Sequence, residues 1–121
     1  TMFFNKTIPV IIMLIIMAGC VQAITWEEQR VIAKEIGREQ DYSGSFRFAY
    51  YQEYKNSYAT FSRNNDNEGV ITFYKPSLSL SRYEFICTVY HELGHSEEYI
   101  EKHARGILSE DYANDYMLSF C

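Results

Sequence analysis

Five consecutive residues, His91-Glu92-Leu93-Gly94-His95, hold the densest chemistry in this 121-residue chain. Histidines four apart stand on one face of a helix, one turn from each other, so both imidazoles reach a single ion. Zn²⁺ accepts neutral imidazole well and needs no redox partner. Glu92 follows His91 directly, and its angular offset points it beside such an ion rather than at it. A carboxylate there can take a proton from water on the metal, whose pKa the ion lowers towards ~7. This division of labour is why zinc peptidases use the H-E-x-x-H spacing. The competing reading is two solvated histidines on a charged helix surface.

A zinc site that does chemistry needs a third protein ligand and an open fourth position. His103 lies eight residues past His95. On a continuous helix that is about 80° off the ligand face and roughly 12 Å along the axis, so a surface histidine is the simpler account. Glu110 is the better candidate. It opens a further helix that a turn at Gly106 could fold back over the first. Asn114 stands one turn later on the same face, where it could hydrogen-bond a histidine ligand and fix its tautomer. Ala113 is small enough to let two helices approach closely. The alternative for Glu110 is a first-turn acid favoured by the helix dipole.

The elements that must position these residues are legible nearby. Ser81-Arg82-Tyr83-Glu84 fits a capping box, with Ser81 as N-cap and Glu84 reaching back. Phe85, Ile86, Val89, Tyr90 and Leu93 give that helix its apolar stripe, and Arg105-Gly106 is a stop signal. Ser109 can cap a last helix from Glu110 to about Ser119. Upstream, Thr25-Trp26-Glu27-Glu28 is another capping box, starting a helix to about Arg38 with Trp26, Val31, Ile32, Ala33 and Ile36 as its stripe. Asp41-Tyr42-Ser43-Gly44 breaks it. Alternation then replaces helical spacing: Phe46, Phe48 and Tyr50 share one side of a strand. A second strand falls around Tyr58 to Ser62. A third runs from Val70 to Tyr74 after the polar turn Asn64 to Gly69 and stops at Pro76. The order predicts an α+β domain: an N-terminal helix, a short antiparallel sheet, the H-E-x-x-H helix and a C-terminal helix.

This arrangement resembles the ImmA/IrrE family of gluzincin-like proteins. The resemblance rests on Gly69 to Tyr74, the Pro76 to Leu80 loop, the His91 to His95 motif and Glu110-Asp111-Tyr112-Ala113-Asn114. It spans roughly residues 69 to 119. It implies a small zincin-like domain in which His91, His95 and Glu110 bind zinc and Glu92 is the catalytic acid/base. Members of that family cleave protein regulators, usually in the cytoplasm and beside a DNA-binding helix-turn-helix. This chain shows an export-like N-terminus and no such module, which implies a stand-alone exported relative with a different substrate.

Length allows one small domain. The net charge is −5, and with Lys6 set aside the remainder carries −6. That balance argues against a nucleic-acid surface, which needs clustered Lys and Arg. Tyr is abundant; a half-buried sheet face explains it better than a substrate groove. Ile8 to Gly19 is an apolar run broken by Pro9, too short for a membrane span of ~20 residues and of the length of a signal-peptide centre. Residues 1–23 therefore read as an export segment and 24–121 as the domain. Two processing sites compete: Val21-Gln22-Ala23 suits a signal peptidase, and Met17-Ala18-Gly19-Cys20 suits lipidation of Cys20. Both give an exported protein, in the second case or with an uncleaved segment attached to the membrane. Cys87 and Cys121 could form a disulfide in an oxidising compartment, although the helical setting of Cys87 favours a small buried residue.

The expected activity is hydrolysis of a protein or peptide substrate by Glu92-activated water at a zinc site. The Val70 to Tyr74 strand, as an exposed sheet edge, would pair with an extended substrate. Tyr112 and Tyr116 are candidate oxyanion donors. The alternative is a non-catalytic exported binding protein whose small domain is stapled by zinc.

Overall fold

A computed structural model describes residues 23–51, 57–102 and 109–121, with the side chains of 101 and 102 not described. Residues 1–22, with Cys20, lie outside the described residues, as do His103 and the Arg105-Gly106 stop. The architecture is α+β: helix α1 (Trp26–Glu39), strands β1 (Ser45–Ala49), β2 (Ala59–Arg63) and β3 (Gly69–Tyr74), a 3-10 turn (Lys75–Ser79), then helices α2 (Arg82–Lys102) and α3 (Glu110–Leu118).

Each helix begins where its cap predicts. Thr25 Oγ1 accepts from the Glu28 N–H at 3.2 Å, while Glu28 Oε1 accepts from the Thr25 N–H at 2.8 Å. Ser81 and Glu84 make the same reciprocal pair at 3.2 and 2.9 Å. Ser109 Oγ accepts from the Tyr112 N–H at 3.2 Å to open α3. Such pairs satisfy backbone donors that the first helical turn leaves open.

The stripe of α1 is displaced from the expected one. Ile32, Ala33 and Ile36 are buried, but Trp26 and Val31 are exposed. Gln29 takes the centre of the buried face. Its amide donates to Ser77 O at 3.0 Å and its oxygen accepts from the Tyr50 hydroxyl. That polar node ties α1 to the end of β1 and to the 3-10 turn, so a buried amide is fully engaged. Burial pushes the Tyr50 phenol up to about 12.

The sheet is mixed rather than antiparallel. Its strand order is β1-β3-β2: β2 pairs antiparallel with β3, and β1 pairs parallel with β3 from the other side. β3 is therefore the central strand, and both its edges are occupied. This corrects the expectation of an exposed Val70 to Tyr74 edge for substrate. The physical reason lies in burial. Ile71, Thr72, Phe73 and Tyr74 are all buried, and such a run suits a strand covered on both faces. In β1 the residues alternate between exposed and half-buried until Ala49, as an edge strand tolerates.

The core lies between the sheet and the helices. Phe73 stacks on Phe48 and Phe46 and tilts against Phe85 of α2, with centroids 5.3, 6.2 and 5.0 Å away. Val89 and Leu93 continue the α2 stripe into this core. Cys87 is buried, as expected, and it is also disulfide-bonded to Cys121, with Cα atoms 5.9 Å apart.

Candidate metal centre

Helix α2 presents His91 and His95 one turn apart, their rings edge to face with centroids 5.0 Å apart. Helix α3 folds back so that its first residue, Glu110, faces them. Glu110 Oε1 lies 2.9 Å from His91 Nε2, and Glu110 Oε2 lies 3.2 Å from His95 Nε2. These three side chains form a group that could hold a metal ion, their ligand atoms all within 4.8 Å of one another.

Two small residues make that meeting feasible. At Gly94 an added Cβ would stand 2.8 Å from Ala113 Cα and 3.0 Å from Tyr116 Cβ. Ala113 is itself fully buried, as its small size predicts. The two helices thus cross with almost no side chain between them. Glu98, buried on α2, accepts from the Ser109 N–H at 2.8 Å and holds the start of α3 in place. At the other end the Cys87–Cys121 disulfide, the Tyr83 hydroxyl on Cys121 O (3.1 Å) and the Tyr90–Phe120 stack (4.4 Å) fasten the segment after α3 to α2. Gly94 carried a sequence signal: a glycine inside a helix costs about 1 kcal/mol against alanine and usually has a packing reason. Glu98 and Gln40, which accepts from the Tyr116 hydroxyl at 3.2 Å, carried none.

The donor set suits a borderline ion. Two imidazole nitrogens and a carboxylate oxygen are common zinc ligands, and around a tetrahedral zinc with bonds near 2.0–2.1 Å the donor atoms stand roughly 3.4 Å apart. Each histidine nitrogen lies just inside that value from one of the two Glu110 oxygens, and the ligand atoms all fall within 4.8 Å, so the three residues could gather around an ion with a local rearrangement. His95 Nδ1 is buried with no hydrogen-bond partner among the described residues. Asn114, expected behind a histidine, is exposed on α3 and does not supply that partner. Burial pushes the His95 imidazole down, against the opposing pull of Glu110.

Glu92 sits beside this group with 6% of its surface exposed. Its Oε1 is buried and has no hydrogen-bond partner among the described residues. Burial, reinforced by the Glu110 charge, pushes its carboxyl up to about 8. A nearby divalent ion would favour the ionised form. Tyr116 spends its hydroxyl on Gln40, so it serves the packing of α3 rather than an oxyanion.

Comparisons with known proteins leave the site to speak for itself: no family model matches the chain, and no curated protein or solved structure matches it. Two further tyrosines bear on the groove reading. Tyr42 donates to Ser45 O at 3.1 Å and Tyr74 pairs with Thr60 Oγ1 at 2.9 Å, both in structural roles around the sheet.

Proposed function

We propose that this protein is a zinc-dependent peptidase in which His91, His95 and Glu110 hold the metal and Glu92 is the acid/base. One observation carries the reading: a buried carboxylate oxygen with no hydrogen-bond partner among the described residues stands next to a convergent pair of histidines and a second carboxylate. An orphaned buried polar atom is costly, and such atoms in folded proteins call for a reason. The resemblance of His91 to His95 and Glu110 to Asn114 to the gluzincin-like ImmA/IrrE pattern supports the same roles.

When bound, zinc would supply charge stabilisation at a polarised carbonyl and lower the pKa of water. Glu92 takes one proton from the attacking water as its oxygen bonds to the carbonyl carbon. The same carboxyl then gives that proton to the departing amine, so the peptide C–N bond breaks with no other reactant consumed. The shielded setting of Glu92 keeps bulk water from competing for that proton. An extended substrate cannot pair with β3, so any strand-like docking uses one of the edge strands.

The test is a pair of variants assayed on a peptide library with zinc reconstitution. Glu92→Gln binds zinc with unchanged stoichiometry and loses hydrolysis by at least a hundredfold, within the ~10²–10⁴ range of acid–base contributions. His91→Ala loses both metal and activity. Hydrolysis that survives Glu92→Gln sinks the mechanism. A wild-type protein that binds zinc without cleaving any peptide supports the zinc-stapled binding protein instead.

A further inference from the structure

Trp26, Arg30, Lys34 and Arg38 are spaced four apart and form one continuous row along the exposed side of α1. The row borders the buried face and meets the sheet at the edge strand β1. There the Arg30 guanidinium lies 5.4 Å from the Trp26 ring centroid and 5.6 Å from that of Phe48. None of the three cations is in an ion pair among the described residues. Two successive like-charge neighbours at this spacing repel each other within the free protein. The acids of α1 stand elsewhere: Glu27, Glu35 and Glu39 occupy the adjacent row with Val31, and Glu28 is engaged with Thr25 and Arg82.

We infer that this row is a membrane-contact face that lays α1 on an anionic lipid surface. Three things point to a bilayer. The first is chemistry: with the apolar face of α1 buried in the core, its exposed Trp26 offers a ring suited to headgroup depth and the row of cations behind it offers partners for lipid phosphates. The second is charge complementarity. The three cations stand together on this row although the chain carries a net −5, and each Lys or Arg near an anionic leaflet strengthens attachment several-fold. The third is position. Ala23 makes a β-bridge to Ser81 and Ile24 is buried, so the fold begins three residues after Cys20, a reach of at most about 11 Å. A chain held at the membrane through Cys20, or through the apolar run before it, brings the start of α1 to the headgroups. The inference rests on that export-segment reading for its tether, and its own content is the orientation of the domain.

Trp26 is the only tryptophan, so its fluorescence reports this face alone. The full-length protein is mixed with phosphatidylcholine vesicles, with and without phosphatidylglycerol, each with nitroxide-labelled lipid as quencher. Sedimentation reads the tether, and Trp26 emission reads the face. Phosphatidylglycerol produces a blue shift and nitroxide quenching that high salt reverses while the protein still sediments. The triple variant Arg30→Glu, Lys34→Glu, Arg38→Glu sediments as before, keeps its far-ultraviolet circular dichroism and loses the phosphatidylglycerol-dependent shift. If the protein fails to sediment with neutral vesicles, the tether reading fails, and a salt-sensitive shift with anionic vesicles still supports the face. Emission indifferent to phosphatidylglycerol overturns the inference. So does a larger response to an anionic oligonucleotide than to the vesicles.

Discussion

A buried polar atom left without a partner costs about 1–3 kcal/mol, and more when charged. Glu92 carries that cost on the same helical turn as Gly94, whose missing side chain lets α3 reach the histidines. The two residues can be separated by experiment. Gly94→Ala gains about 1 kcal/mol of helix propensity but forces a methyl against the Ala113 backbone, and overpacking of this kind costs roughly 1–3 kcal/mol. The expected result is a modest fall in melting temperature with a larger loss of zinc affinity, because Glu110 is displaced. Calorimetric zinc titration alongside thermal melts checks it; unchanged affinity would mean that Glu110 does not ligate. Glu28 offers a pH readout far from the site. The Thr25 N–H it accepts, with help from Arg82, holds its carboxyl below the ordinary value of 4.5. A lowered folded-state value means that its stabilisation is complete above about pH 4.5 and is lost as pH falls through the folded value. Glu28→Gln should therefore flatten the acid limb of the stability curve and leave the neutral plateau slightly lower, as denaturant melts across pH would show.

At the scale of elements, the position of α3 decides whether a site exists. Ser109 on Glu98 fixes one end, and the disulfide fixes the other across 34 residues of sequence. Closing a loop of that size restricts the unfolded chain by about 3–4 kcal/mol in the entropic account. Replacing both Cys87 and Cys121 with Ser should lower the melting temperature by roughly 10–20 °C in a domain this small. Zinc affinity should fall less than it does for Gly94→Ala, because Glu98 still holds the metal-proximal end. The helices themselves were legible early, since all three caps are local pairs within three residues. The α1 stripe was not. Trp26 and Val31 match apolar periodicity by type, yet a buried Gln29 with two partners outcompeted them for the inner face. Strand pairing departs from the sequence expectation for a related reason: turn signals favour pairing of sequence-adjacent strands, while the apolar β3 inserts between β1 and β2.

At the scale of the whole molecule, a domain with one thin core gains disproportionately from a bound ion. Zinc at a hundred times its dissociation constant would add about 2.7 kcal/mol. A chelator should therefore lower the melting temperature of the wild-type protein, and His91→Ala should be insensitive to the chelator. A chelator effect that persists in the variant would place the metal elsewhere.

The sequence by itself determined the helix starts and the presence of three strands. It also carried the His91-Glu92-His95 motif and the expectation that Glu110 would meet the two histidines. These follow from spacing, capping and turn chemistry, which act over a few residues. Only the tertiary structure decided that β3 is central, that Cys87 meets Cys121 and that Asn114 faces solvent. It also decided that Glu98 and Gly94 bring Glu110 within 2.9 Å of His91. Each of these depends on which surfaces bury one another across long stretches of chain, and local propensity does not encode that competition.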